Sequence, residues 1–94
     1  MFLSLHIIIQ GIVQGVNCRY QVKNYTDQHQ LVGSVQNLNE FDKVEIYIQG
    51  KENSINEFIT WLKSNPGYIK LNEVKILNKE KIDKLNYNNF QIIY

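Results

Sequence analysis

The sequence is short of several residue types, and each shortage excludes something. Its 94 residues include one cysteine, so no disulfide can form within the chain. Cys and His nowhere recur at the spacing of a zinc site, so no metal is expected. Proline occurs once, and alanine not at all. No apolar run approaches the roughly 20 residues of a membrane helix, so no membrane partner is expected. Met1–Ile9 is apolar but lacks a basic stretch and a small-residue cleavage site, and is not read as a targeting segment. An excess of one charge is also missing. Ten cationic residues against nine acidic ones leave +1, which argues against nucleic acid as a partner. With 44% hydrophobic and 20% charged residues, the composition is that of a globular domain. A domain of this size without staples relies on packing and suits a reducing cytoplasm.

The least expected scarcity is arginine. Nine of the ten cationic residues are Lys and only Arg19 is Arg, whereas Asn occurs 12 times and Ile 13 times. A chain that uses Lys everywhere else directs attention to its one guanidinium.

What is present is periodic. Leu3, Leu5, Ile7 and Ile9 alternate with Ser4, His6, Ile8 and Gln10, the pattern of a strand with one face on a core. Gly11 and Gly15 punctuate a loop. Cys18, Val22, Tyr25 and His29 then recur at helical spacing and predict a helix from about Arg19 to Gln28. Leu31–Leu38 reads as a second strand, and Val44, Ile46 and Ile48 mark a third that Gly50 ends. Ser54 and Glu57 suggest a capping box before a second helix with Ile55, Phe58, Ile59 and Leu62 on one face, stopping near Asn65-Pro66-Gly67. Leu71–Leu77 and Tyr87–Tyr94 predict two more strands, and the Asn/Lys-rich stretch between them reads as an exposed connection. The order β-α-β-β-α-β plus a fifth strand fits an α+β, ferredoxin-like split βαβ arrangement, with two helices packed on one face of an antiparallel sheet.

The segment from Gly11 to Arg19 carries the chemistry. A strand enters a glycine-bearing loop, and the loop enters a helix start, where unpaired N–H groups and the positive dipole end converge. That geometry suits a tetrahedral oxyanion such as phosphate. Arg19 adds a planar fork of donors that Lys cannot duplicate. The loop is not a Walker loop and lacks the three-glycine dinucleotide pattern; read by itself, it is also compatible with an ordinary strand–helix connection.

Gly11-x-Val13-Gln14-Gly15-Val16-x-x-Arg19 resembles the signature loop of the acylphosphatases, small enzymes that hydrolyse carboxyl–phosphate anhydrides. Gly33-Ser34-Val35-Gln36-Asn37 is similar to the family's second signature, with Asn37 eighteen residues after Arg19. The resemblance continues through Val44-Glu45-Ile46, Gln49-Gly50 and Phe58-Ile59-Thr60-Trp61-Leu62 to Leu85-x-Tyr87-x-x-Phe90-x-Ile92. It implies one domain over residues 1–94 and a small-molecule acyl phosphate as substrate, with no cofactor, no metal and no covalent intermediate. It further implies a monomer. By position, the backbone of Gly11, Ile12, Val13, Gln14, Gly15, Val16 and Asn17 would cradle the phosphoryl group. Arg19 would bind its oxygens, and Asn37 would hold the attacking water.

The chain departs from the family pattern at several positions. Asn17-Cys18 replaces a Gly-Phe or Phe-Phe pair, Ser34 replaces an aromatic residue, and Gln30 stands where a glycine usually ends the first helix. Asn tolerates positive φ, so the loop backbone is expected to survive the change. The departures keep open a second reading, a catalytically weak module that binds phosphate or an acyl phosphate. A third, RNA binding on an open sheet face, lacks a basic surround and an aromatic run. Cys18 lies directly beside Arg19, unlike the spaced pair of a cysteine phosphatase, and reads as core. His6, His29, Phe58 and Trp61 read as structural, and Lys79–Lys84 as solvated surface.

Overall fold

The computed structural model describes residues 1–15 and 17–94; Val16 lies outside the described residues. Leu3, Leu5, Ile7 and Ile9 of β1 (Phe2–Ile12) are all buried and line one face of a sheet. Val44, Ile46 and Ile48 of β3 (Lys43–Lys51) continue that face, as does Val35 of β2 (Val32–Asn37). Two helices cover it. α1 (Cys18–Gln28) contributes Cys18 and Val22, and α2 (Glu52–Lys63) contributes Ile55, Phe58 and Leu62.

The helices differ from their predicted outlines for identifiable reasons. On α1 the buried line is Cys18, Val22 and Thr26. Tyr25 is only partly buried because its ring reaches across to α2, 4.5 Å from Trp61 and 5.6 Å from Phe58. His29 falls beyond the helix as its exposed C-cap, stacked on Tyr25. Gln30 then takes φ 57°, the left-handed turn for which a glycine is usual. α2 begins two residues before Ser54, from an extended Lys51, so Ser54 and Glu57 form no capping box. Glu52 in the first turn offsets the helix dipole instead.

β4 (Lys70–Ile82) is longer than predicted and absorbs residues 78–82 of the stretch expected to be a connection. It pairs with the whole of β1, with register shifts opposite His6/Ile7 and Gln10/Gly11 that break the alternation. It is also an edge strand bearing exposed Lys and Glu, which protect an edge but conceal its strand character in the sequence. β5 (Phe90–Ile93) is shorter than predicted.

The strand order is β4-β1-β3-β2-β5. α1 joins β1 to β2 with β3 between them, and α2 joins β3 to β4 with β1 between them, which makes two interlocked split βαβ units. The β1–β3, β1–β4 and β2–β3 pairings are antiparallel, but β5 runs parallel to β2, so the sheet is mixed and not wholly antiparallel. The reason is topological. β4 and β5 occupy opposite edges, and the chain that reverses between them arrives beside β2, which already runs in that direction. Asn86 N–H, donating to Gln49 Oε1 at 2.8 Å, ties down this connection. As a result β1, β2 and β5 all point toward the same end of the sheet, and the residues following each of them meet there.

Candidate active site

At that end β1 gives way to the glycine-bearing loop. Gly11 still belongs to the strand, with φ +146°, and a Cβ on it would lie 2.1 Å from the Lys70 carbonyl oxygen. Glycine is therefore required there by the close approach of β4. Ile12 pairs with Lys70 in the same ladder. Neither Gly11 nor Ile12, expected to cradle a phosphoryl group, lines the recess beyond.

The recess itself has a volume of about 100 Å³ and is lined by Val13, Gln14, Gly15, Asn17, Cys18, Arg19, Tyr20 and Asn37. Gly15 takes φ +78° in open surroundings, so its requirement is one of backbone conformation, not space. Asn17 takes φ 60° and ψ 28° as the residue preceding α1, the left-handed geometry that Asn tolerates. Its side chain makes no capping hydrogen bond, and no acidic residue occupies the first turn of α1. The positive end of that helix therefore faces the recess uncompensated. Val16, assigned to the cradle by sequence, lies outside the described residues.

Gln14 has a role that the sequence did not disclose. Its Nε2 donates to the carbonyls of Leu38, Glu40 and Lys43 at 3.0, 2.9 and 2.8 Å. The first two carbonyls lie in the turn between β2 and β3, immediately after Asn37, and the third opens β3. One side-chain amide thus locks the loop to the segment that carries Asn37. The Gly11 N–H, donating to the Asp42 carbonyl at 2.9 Å, reinforces the same junction.

Arg19 is the second residue of α1 and is half-buried. Its guanidinium carbon lies 5.0 Å from the centroid of the Tyr94 ring, within the range of a cation–π contact. The Tyr94 hydroxyl in turn is 3.4 Å from that of Tyr20. Neither tyrosine was singled out by sequence, because nothing local connects the last residue of the chain to the first helix.

Asn37 ends β2 and also lines the recess. Its Oδ1 is buried and has no hydrogen-bond partner among the described residues. A buried acceptor left this way costs about 1–3 kcal/mol, and it is able to accept a hydrogen bond from a molecule in the recess. Cys18 is buried beside Arg19, and desolvation pushes its thiol up to about 12, the Arg19 charge opposing this only in part. A thiol held neutral is a packing group, not a nucleophile. His6 is engaged elsewhere, on the far face of the sheet, by Glu45 at 2.8 Å and by the Tyr47 ring.

The acylphosphatase family model matches residues 5–92 of the chain. An acylphosphatase of Bacillus licheniformis is 34% identical over 92 residues, covering 98% of this chain and 99% of that protein. The crystal structure of acylphosphatase from Bacillus subtilis superposes with a TM-score of 0.86 at 30% identity, over 98% of this chain and 99% of that one. A crystal structure of full-length HypF contains a similar unit, with a TM-score of 0.86 and 29% identity over 100% of this chain and 12% of that much longer one. Signature loop, fold and relatives spanning nearly its whole length agree, and the chain belongs to the acylphosphatase family.

Proposed function

We propose that residues 1–94 are a single-domain, monomeric, cytoplasmic acylphosphatase that converts an acyl phosphate and water into a carboxylate and inorganic phosphate. The observation that carries this reading is the lining of one recess, which brings together a bare helix N-terminus bearing Arg19 and the unpartnered Oδ1 of Asn37. The names of the relatives support it.

In this reading, backbone N–H groups of the Val13–Asn17 segment and the Arg19 guanidinium take the phosphoryl oxygens and their charge. Asn37 Oδ1 accepts a hydrogen bond from water and holds the water oxygen in line with phosphorus. That oxygen bonds to phosphorus as the bond from phosphorus to the carboxyl oxygen breaks, and the carboxylate leaves with the electron pair. The water's protons pass to phosphate and solvent. A leaving group whose acid has a pKa of roughly 4 departs without protonation, so the chemistry asks for no general acid. Phosphoryl transfer through a loose transition state depends mainly on alignment and charge stabilisation.

The test is release of carboxylate from acetyl phosphate by the purified protein. Arg19→Ala is expected to lower kcat/KM by about 10²–10³-fold, the effect of removing a donor aimed at transition-state charge. Equal rates in wild type and Arg19→Ala would remove the enzymatic reading, and phosphate binding without turnover would select a binding module.

A further inference from the structure

The lining of the recess comes from two distant stretches of chain. The loop arrives from β1, whereas Asn37 stands at the end of β2, just before a turn whose tip, residues 39–41, is exposed. The turn closes on itself: Leu38 N–H donates to the Lys43 carbonyl and Lys43 N–H to the Glu40 carbonyl, each at 3.1 Å. Those bonds leave its distance from the loop unset. Ties from β1 and the loop supply that distance. Gln10 Nε2 donates to Asp42 Oδ2 and Gly11 N–H to the Asp42 carbonyl, each at 2.9 Å, on the side of the turn that leads into β3. Gln14 reaches further. The Nε2 that meets the Glu40 and Lys43 carbonyls also meets that of Leu38, the residue next to Asn37, at 3.0 Å.

An amide nitrogen carries two protons. Facing three carbonyl oxygens, that of Gln14 keeps none for a phosphoryl oxygen, although the residue lines the recess. A carboxylate of the same length would bring only acceptors to those carbonyls, so the tie requires the amide.

We propose that Gln14 is a positioning residue: its side chain fixes Asn37 relative to the Val13–Asn17 backbone, and with it the attacking water relative to phosphorus, without touching the substrate. The inference rests on the acyl-phosphate reading above and adds a residue to it. Alignment of this kind is steep, because a displacement of about 1 Å can cost about 10²-fold in rate.

The test is a double-mutant cycle on acetyl phosphate, combining Gln14→Met, which keeps an unbranched side chain but loses the donor, with Asn37→Ala. Gln14→Met is expected to lower kcat about 10–100-fold and to leave the inhibition constant of phosphate unchanged. A loop that had merely lost its shape would weaken phosphate as well. In the Asn37→Ala background the same substitution should not lower kcat further, because the group that it positions is gone. Losses that multiply, or an inhibition constant that rises as kcat falls, would overturn the proposal. Amide hydrogen exchange gives a readout that needs no turnover. In Gln14→Met the Leu38 and Lys43 amides should exchange about tenfold faster, while Ile46, in the buried middle of β3, keeps its rate. Unchanged exchange at Leu38 and Lys43, or equal acceleration at Ile46, also overturns it. If wild type releases no carboxylate while exchange accelerates at Leu38 and Lys43 alone, the clamp stands and the enzymatic reading fails.

Discussion

The two helices are almost equal in length, eleven and twelve residues, yet they are built to different ends. α2 opens on Glu52 and closes on Lys63, charges that offset both poles of its dipole, and it buries Ile55, Phe58 and Leu62. α1 has no acid in its first turn and no base in its last, starts from a left-handed Asn17, and buries the smaller side chains of Cys18, Val22 and Thr26. It also carries Arg19 at its positive pole, where a cation costs about 0.3–1 kcal/mol. By itself α1 is the poorer helix. Its N-terminus is left without a compensating charge, whereas both ends of α2 are offset. The contrast separates what holds this chain together from what it does.

That division can be broken from either side. The largest effect is expected in α2. Phe58→Ala leaves a cavity under the sheet and should cost about 3–5 kcal/mol, measured by denaturant unfolding. A smaller loss would mean that the two aromatic neighbours, Tyr25 and Trp61, collapse into the space. At the α1 end, Asn37→Ala should lower kcat about 10²-fold through loss of water alignment, while inhibition by phosphate persists. Loss of phosphate affinity in that variant would mean that Asn37 binds the anion and that its division of labour with Arg19 is wrong. The smallest effect tests the dipole argument. Glu52→Gln should cost α2 about 0.3–1 kcal/mol of stability in low salt, less in high salt, and leave turnover unaltered.

Much of the fold was legible because it is written in local periods. β1 and β3 alternate residue by residue, and Ile55, Phe58 and Leu62 recur as one helical face. The loop was legible through its glycines, and Asn17 adopts the positive φ that its side chain tolerates. β4 was only half legible. Two register shifts interrupt its alternation, and edge exposure replaces apolar residues with Lys and Glu. The capping box at Ser54 failed because a motif of two residues carries no information about where the preceding strand releases the chain. Gly11 and Ile12 match the signature as letters but serve the β1–β4 ladder, since a motif does not distinguish a residue that lines a site from one that supports it.

By itself the sequence determined the elements, the glycine loop at a helix start, the lone Arg19 and its 18-residue spacing to Asn37. These depend on backbone preferences and side-chain periodicity, which act over a few residues, or on spacing along the chain. Only the tertiary structure decided that β5 lies parallel to β2, that Gln14 clamps the turn after Asn37 and that Tyr94 packs against Arg19. Each of these joins segments far apart in sequence. Such contacts arise where the strand order brings chain ends together, and no residue carries that order in its own conformational preference.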